Sequence, residues 1–125
     1  MAEGHSTYTL KDDGGIGTVK IADEVIAVIA GLAATEVKGV ASIAGGITNA
    51  AVARKGIKAL SKGVKIAVDD GSVSIDMVIS LDYGYSIPDT GKAVQEKVKS
   101  AVENMTGMKV TVVNVRVDGI KEVQG

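Results

Sequence analysis

The chain has 125 residues, 46% of them hydrophobic but only 2% aromatic, with no cysteine, phenylalanine or tryptophan and a formal charge of −1. That length fits one domain whose core is built from Val, Ile, Ala and Leu, and the lack of cysteine excludes disulfides and every thiolate site. Near-neutrality argues against bulk electrostatic attraction to nucleic acid, and the longest apolar stretch, Val25 to Ala34, is short and broken by Gly31, so no direct membrane insertion is expected.

Met1 to Gly15 is polar and without periodicity, which predicts a disordered tail. Ile16 to Ala22 places Val19 and Ile21 on one face and predicts a short strand. Asp23 is positioned to cap a helix, with Glu24 in its first turn. Val25, Ile29, Leu32, Ala33 and Val37 keep helical spacing until Gly39, and the interior Gly31 points to close packing on a neighbouring backbone. Val40 to Ala44 is apolar enough for a buried strand.

A basic connection runs from Gly45-Gly46 to Gly63. No acidic residue occurs between Val37 and Val68, where Lys38, Arg54, Lys55, Lys58, Lys62 and Lys65 supply six positive charges. If Asn49 to Ser61 is helical, Arg54, Lys58 and Lys62 form one stripe. Two readings stay open: a solvated face on a mobile connection, or a surface for an anionic ligand or partner.

Val64, Ile66 and Val68 alternate with Lys65 and Ala67, and Asp69-Asp70-Gly71-Ser72 supplies a hairpin turn with glycine available for positive φ. The returning strand, Val73 to Tyr83, alternates Val73, Ile75, Met77, Ile79 and Leu81 with Ser74, Asp76, Ser80 and Asp82; only Val78 breaks the pattern. Ser86-Ile87-Pro88-Asp89 opens a second helix whose stripe is Val94, Val98, Ala101, Val102 and Met105. Gly107 stands where a left-handed cap belongs. The last strand, Lys109 to Asp118, has Val110 and Val112 on one face and Val113, Val115 and Val117 on the other, which implies a bulge between Val112 and Val113. The sum is a two-layer α+β domain over residues 16–121, with a mixed sheet of four to five strands, two helices on one face and a C-terminal tail at 122–125.

Catalytic chemistry finds little support in these residues. His5, the single histidine, lies in the tail, which removes zinc hydrolysis and serine–histidine catalysis. Asp76 and Asp82 share a strand face but lie roughly 20 Å apart at strand rise, too far for a carboxylate pair. Gly15-Ile16-Gly17 and Gly91-Lys92 both lack the partners of a phosphate loop. No catalytic residue, cofactor or metal site is assigned. Tyr83 and Tyr85 fall on the core face by alternation, where they either pack at the core edge or anchor a partner. The candidate interaction surface is Arg54, Lys55, Lys58, Lys62, Tyr83 and Tyr85.

Several blocks in colinear order resemble one family: Val19-Lys20-Ile21-Ala22-Asp23-Glu24-Val25, Glu36-Val37-Lys38-Gly39-Val40, Lys62-Gly63-Val64-Lys65-Ile66, Tyr83-Gly84-Tyr85-Ser86-Ile87-Pro88, Met105-Thr106-Gly107 and Val113-Asn114-Val115-Arg116-Val117. Together, from Ile16 to Lys121, they look like the alkaline shock, or envelope stress response, proteins of Gram-positive bacteria. The resemblance implies a non-enzymatic cytoplasmic protein that self-associates and reaches the inner face of the membrane through a membrane-anchored protein partner. It carries over no catalytic residue. The runner-up is a nucleic-acid-binding module using the basic 54–65 stretch and the tyrosine pair, against which the net charge and the scarcity of aromatics stand.

Overall fold

Val73, Ile75, Met77, Ile79 and Leu81 are each at most 1% exposed, so the strict alternation read from the sequence is realised as the inner face of one central strand. The computed structural model describes residues 7–9, 18–43 and 61–122. In chain order these form β1 (Thr7–Thr9), β2 (Lys20–Ala22), α1 (Asp23–Thr35), β3 (Val40–Ile43), β4 (Val64–Asp69), β5 (Ser72–Asp82), α2 (Ile87–Thr106) and β6 (Lys109–Lys121). The stretch from Asn49 to Leu60, with Arg54, Lys55 and Lys58, lies outside the described residues.

The fold is α+β with a mixed sheet. Along one side β5 pairs antiparallel with β4 as far as Met77 and with β3 from Ile79 onward, and along the other it pairs parallel with β6 over its whole length. Both helices lie on one face, α1 over β3 and β4, α2 over β6, and they touch each other. Ala27, Ala30, Gly31, Ala33 and Ala34 are buried on α1, and Val94, Val98 and Val102 on α2. Small side chains let α1 approach closely, in place of the aromatic filling that this composition lacks.

The turns obey local chemistry. Asp70 and Gly71 both take positive φ, +53° and +81°, the two-residue hairpin geometry that matches strand twist. Ser86 caps α2 by accepting the Asp89 N–H at 3.3 Å, and Gly107 closes it at φ +75°.

Some expectations need correction. Asp23 is the first helical residue, not the cap; Ala22 holds that position with no side-chain bond, and the carboxylates of Asp23 and Glu24 act in the first turn. α1 stops at Thr35 rather than near Gly39, because the Glu36 and Val37 N–H groups bond Ala33 and Ala34 carbonyls in a tightened last turn and Thr35 Oγ1 donates to the Leu32 carbonyl. Of the described part of the first predicted strand, 18–22, Lys20–Ala22 is extended with a partner, and it joins Thr7–Thr9, a piece of the predicted tail, in a two-stranded ribbon separate from the main sheet. Val19 is exposed, and so is Met105, which falls off the buried stripe of α2 at 69% exposure.

The bulge in β6 exists but sits one step earlier than expected. Val73 pairs with Val110 and Ser74 with Val112, so Thr111 is the extra residue; Val110 stays on the helix side with Val113, Val115 and Val117, and Val112 turns to the open face. Side chains satisfy the disturbed ladder: Thr111 Oγ1 donates to the Val73 carbonyl (3.2 Å), the Val110 N–H donates to Glu103 Oε2 (3.0 Å) and Gln95 Nε2 donates to the Val113 carbonyl (3.0 Å). A second slip at Asp118 puts Gly119 beside Ser80, and β6 runs on to Lys121.

Truncating the central strand should be costly and touching its outer face cheap. Ile79→Ala is expected to lower unfolding free energy by about 2–5 kcal/mol, and Ser80→Ala by under about 0.5 kcal/mol, in urea titrations.

Candidate interaction surface

The face of the sheet away from α1 and α2 is written by the strand registers. Lys65, Asp76 and Asn114 form one row across β4, β5 and β6; Ala67, Ser74 and Val112 form the next; Val78 stands beside Arg116. Asn114 Nδ2 donates to Asp76 Oδ1 at 2.7 Å and fixes the middle of the first row. That bond answers the Asp76 question raised by the sequence: its carboxylate is held by a neighbour on the same sheet face.

At Val78 the outer side of β5 passes from β4, which ends at the Val64–Met77 pair, to β3, which begins at Ile43–Ile79. Among the described residues Val78 has no strand partner on that side. A cleft of about 430 Å3 opens at this hand-over, lined among others by Lys62, Lys65, Asp76, Val78, Asn114 and Arg116. Its size falls in the range of ligand sites, roughly 300–1,000 Å3. Lys62, Lys65 and Arg116 are exposed, come from two stretches of chain, 62–65 and β6, and form no ion pair among the described residues.

The second surface lies at the far end of β5. Tyr83 follows the strand rather than ending it, with its N–H donated to the Lys121 carbonyl at 2.7 Å, and its ring is 73% exposed. The core-face expectation fails for Tyr83 because the strand stops at Asp82 and Gly84, at φ +102°, turns the chain. Tyr85 packs at the edge: at 37% exposure, its ring lies so close to Gly39 that a β-carbon there would meet Cδ2 at 2.7 Å. Ile87 and Ile120 are exposed at the same end. Tyrosine rings and aliphatic side chains left in water together are the composition of a contact surface.

Of the six residues singled out from the sequence, Lys62 lies in the cleft and Tyr83 and Tyr85 at the strand end, while Arg54, Lys55 and Lys58 are outside the described residues. Lys62 and the tyrosines are therefore in two places, not one. Sequence reasoning placed Lys65 in the basic 54–65 stretch but missed Asn114 and Arg116, whose only signal was their solvent-side position in an alternating strand; register was needed to bring the three together. Among the described residues no group of three or more His, Cys, Asp or Glu could hold a metal ion, and no helix is long and apolar enough to cross a membrane.

A family model described as Asp23 family, cell envelope-related function, matches residues 11–122. The chain is 39% identical over 110 residues to the uncharacterized protein YqhY of Bacillus subtilis, covering 88% of this chain and 82% of that one. It is 34% identical over 111 residues to YloU of the same organism, covering 84% and 89%. Among solved structures, a MamM CTD chain aligns with a TM-score of 0.49 at 14% identity, covering 78% of this chain and 96% of that one.

Gly39 and Gly84 share φ +102° but differ in surroundings, since only Gly39 has a side chain against it. Alanine at either costs about 1–2 kcal/mol for the backbone. Gly39→Ala should cost a further ~1–3 kcal/mol by displacing a packed ring, and should move the Tyr85 ring resonances, which Gly84→Ala leaves in place. Equal denaturation midpoints for the two variants would contradict the seating of Tyr85 on Gly39.

Proposed function

The chain belongs to the Asp23 family, of cell envelope-related function, and on that footing we propose that it is a non-enzymatic protein that acts by self-association and by binding protein partners beside the membrane. It works in the cytoplasm and reaches the envelope through a membrane-anchored partner, not through a span of its own. The observation that carries this reading is the exposed end of the sheet, where Tyr83, Ile87 and Ile120 stand in water and Tyr85, seated on Gly39, keeps part of its ring exposed, although the described core is complete without them. Side chains of this kind bind other proteins by burying area that the monomer leaves wet.

Self-association has a second support in β6, which pairs on one side only among the described residues. Its beginning is unsuited to accept another strand, because Gln95 and Glu103 of α2 already take up the Val113 carbonyl and the Val110 N–H. The stretch past Asn114 has no such cover among the described residues and is the place for strand addition.

Nucleic-acid binding is disfavoured by placement. Of the basic 54–65 stretch the described cations, Lys62 and Lys65, lie in the cleft and not beside the tyrosines, since Tyr83 is roughly 17 Å from Val78 at strand rise, and a single-strand binder needs stacking rings along its basic track.

Two measurements test the proposal. Crosslinking in intact cells followed by membrane fractionation should recover the chain with a membrane protein, and Tyr83→Ser with Ile120→Ser should abolish that recovery while leaving thermal stability unchanged within a few degrees. The unaltered protein should show no appreciable affinity for single-stranded RNA at physiological salt. Tight RNA binding that weakens steeply as salt rises, with no protein recovered from membranes, would overturn the assignment.

A further inference from the structure

The cleft at the β4-to-β3 hand-over has chemistry of its own, separate from the tyrosine end. Three cations reach it from different elements: Lys62 from the turn before β4, Lys65 from β4 and Arg116 from β6. One acid faces them, and Asp76 already has one oxygen engaged by Asn114. The local balance is thus positive in a chain whose total charge is negative. Between the cations stands Val78, which pairs with Arg116 of β6 on one side and, among the described residues, has no strand partner on the other. Resting on the reading of the chain as an interaction protein, the geometry points to the partner's chemistry: the cleft receives an extended acidic segment of another protein, carboxylates against Lys62, Lys65 and Arg116 and an apolar side chain against Val78.

Charge complementarity selects that occupant. The guanidinium of Arg116 can grip a carboxylate with two parallel N–H donors, while the two lysines act as point charges that tolerate several side-chain placements. A nucleic-acid backbone fits worse, because Asp76 stands in the middle of the row and would face phosphate, and no aromatic ring lines the cleft to stack a base. A small phosphate fits worse too: anion cradles use backbone N–H groups at a helix N-terminus, and neither described helix begins in the cleft, since α1 opens near Ser61 and Val64 with the acidic Asp23 and Glu24 in its first turn and α2 opens at Ile87, past the end of β5. The alternation of charged and apolar positions instead matches a strand-like peptide, whose side chains also alternate.

The test uses a short fluorescent peptide of Glu, Ser and Val, capped at both ends, with anisotropy as readout. Binding is expected to weaken at least about tenfold with Lys65→Glu or Arg116→Glu, as for the loss of a complementary charge, and to weaken as salt rises. Arg116→Gln should fall between native and reversed, which keeps the series readable should a reversed variant fold poorly. Asp76→Asn should tighten binding, an effect that mere damage to the sheet would not produce. A version of the peptide with Lys for Glu should not bind. Three results would overturn the inference: equal affinity of native and Arg116→Glu protein, tighter binding to inorganic phosphate or a single-stranded oligonucleotide than to the peptide, or a membrane-fraction partner captured equally by native and Arg116→Glu protein. The last would keep the interaction role and remove the cleft from it.

Discussion

Everything in this domain is hung on the inner face of β5. Its five large side chains are removed from water together, each contributing on the order of 1.5–3 kcal/mol of hydrophobic driving force, and each lies under one of the two helices or beside a strand that carries them. The strand itself keeps an unbroken alternation, and the irregularities fall on its partners, at Ala41 in β3 and at Thr111 and Asp118 in β6. A residue out of phase in β5 would turn its whole apolar set toward solvent. In β6 the same event costs one residue, and Thr111, Glu103 and Gln95 bond the groups it disturbs.

This explains what the sequence could and could not disclose. The hairpin of β4 and β5, the opening of α2 at Ser86-Ile87-Pro88-Asp89, the Gly107 cap and the stripe of Val94, Val98 and Val102 are local features, each decided by residues a few positions apart, and each is found where the pattern put it. The end of α1 was misplaced because Gly39 looks like a terminator, while the helix is closed by hydrogen bonds of Thr35, Glu36 and Val37 that no composition rule marks. The bulge lies at Thr111 and not between Val112 and Val113, because valines stand in both phases of β6, Val110 and Val112 in one and Val113, Val115 and Val117 in the other. Only pairing with β5 decides which of Val110 and Val112 is buried.

The interaction surface was the least legible part for the same reason. Lys65, Asp76, Asn114 and Arg116 are each the bland outward residue of a strand, far apart in sequence, and become one cleft only when three strands align and β4 gives way to β3. Tyr83 continues the alternation of β5 on paper, but a strand ends where its partners end, and no periodicity reports that. What the family adds is the envelope; what the register adds is a positively charged hollow on one face and a wet aromatic end on the strand beside it.

The parallel pairing of β5 with β6 also dictates an order of events. Ser72 meets Lys109 at one end and Asp82 meets Lys121 at the other, so no tight turn can bring the two strands together and all of α2 must first be traversed. The antiparallel β4–β5 hairpin needs only Asp70 and Gly71 and can close within microseconds. A nascent chain therefore holds a finished hairpin whose apolar face is uncovered on the β6 side until the helix has formed and docked. During that interval the bare flank of β5 is the most adhesive part of the molecule, and the time needed to close the longer loop sets how long a chaperone or a neighbouring chain has access to it.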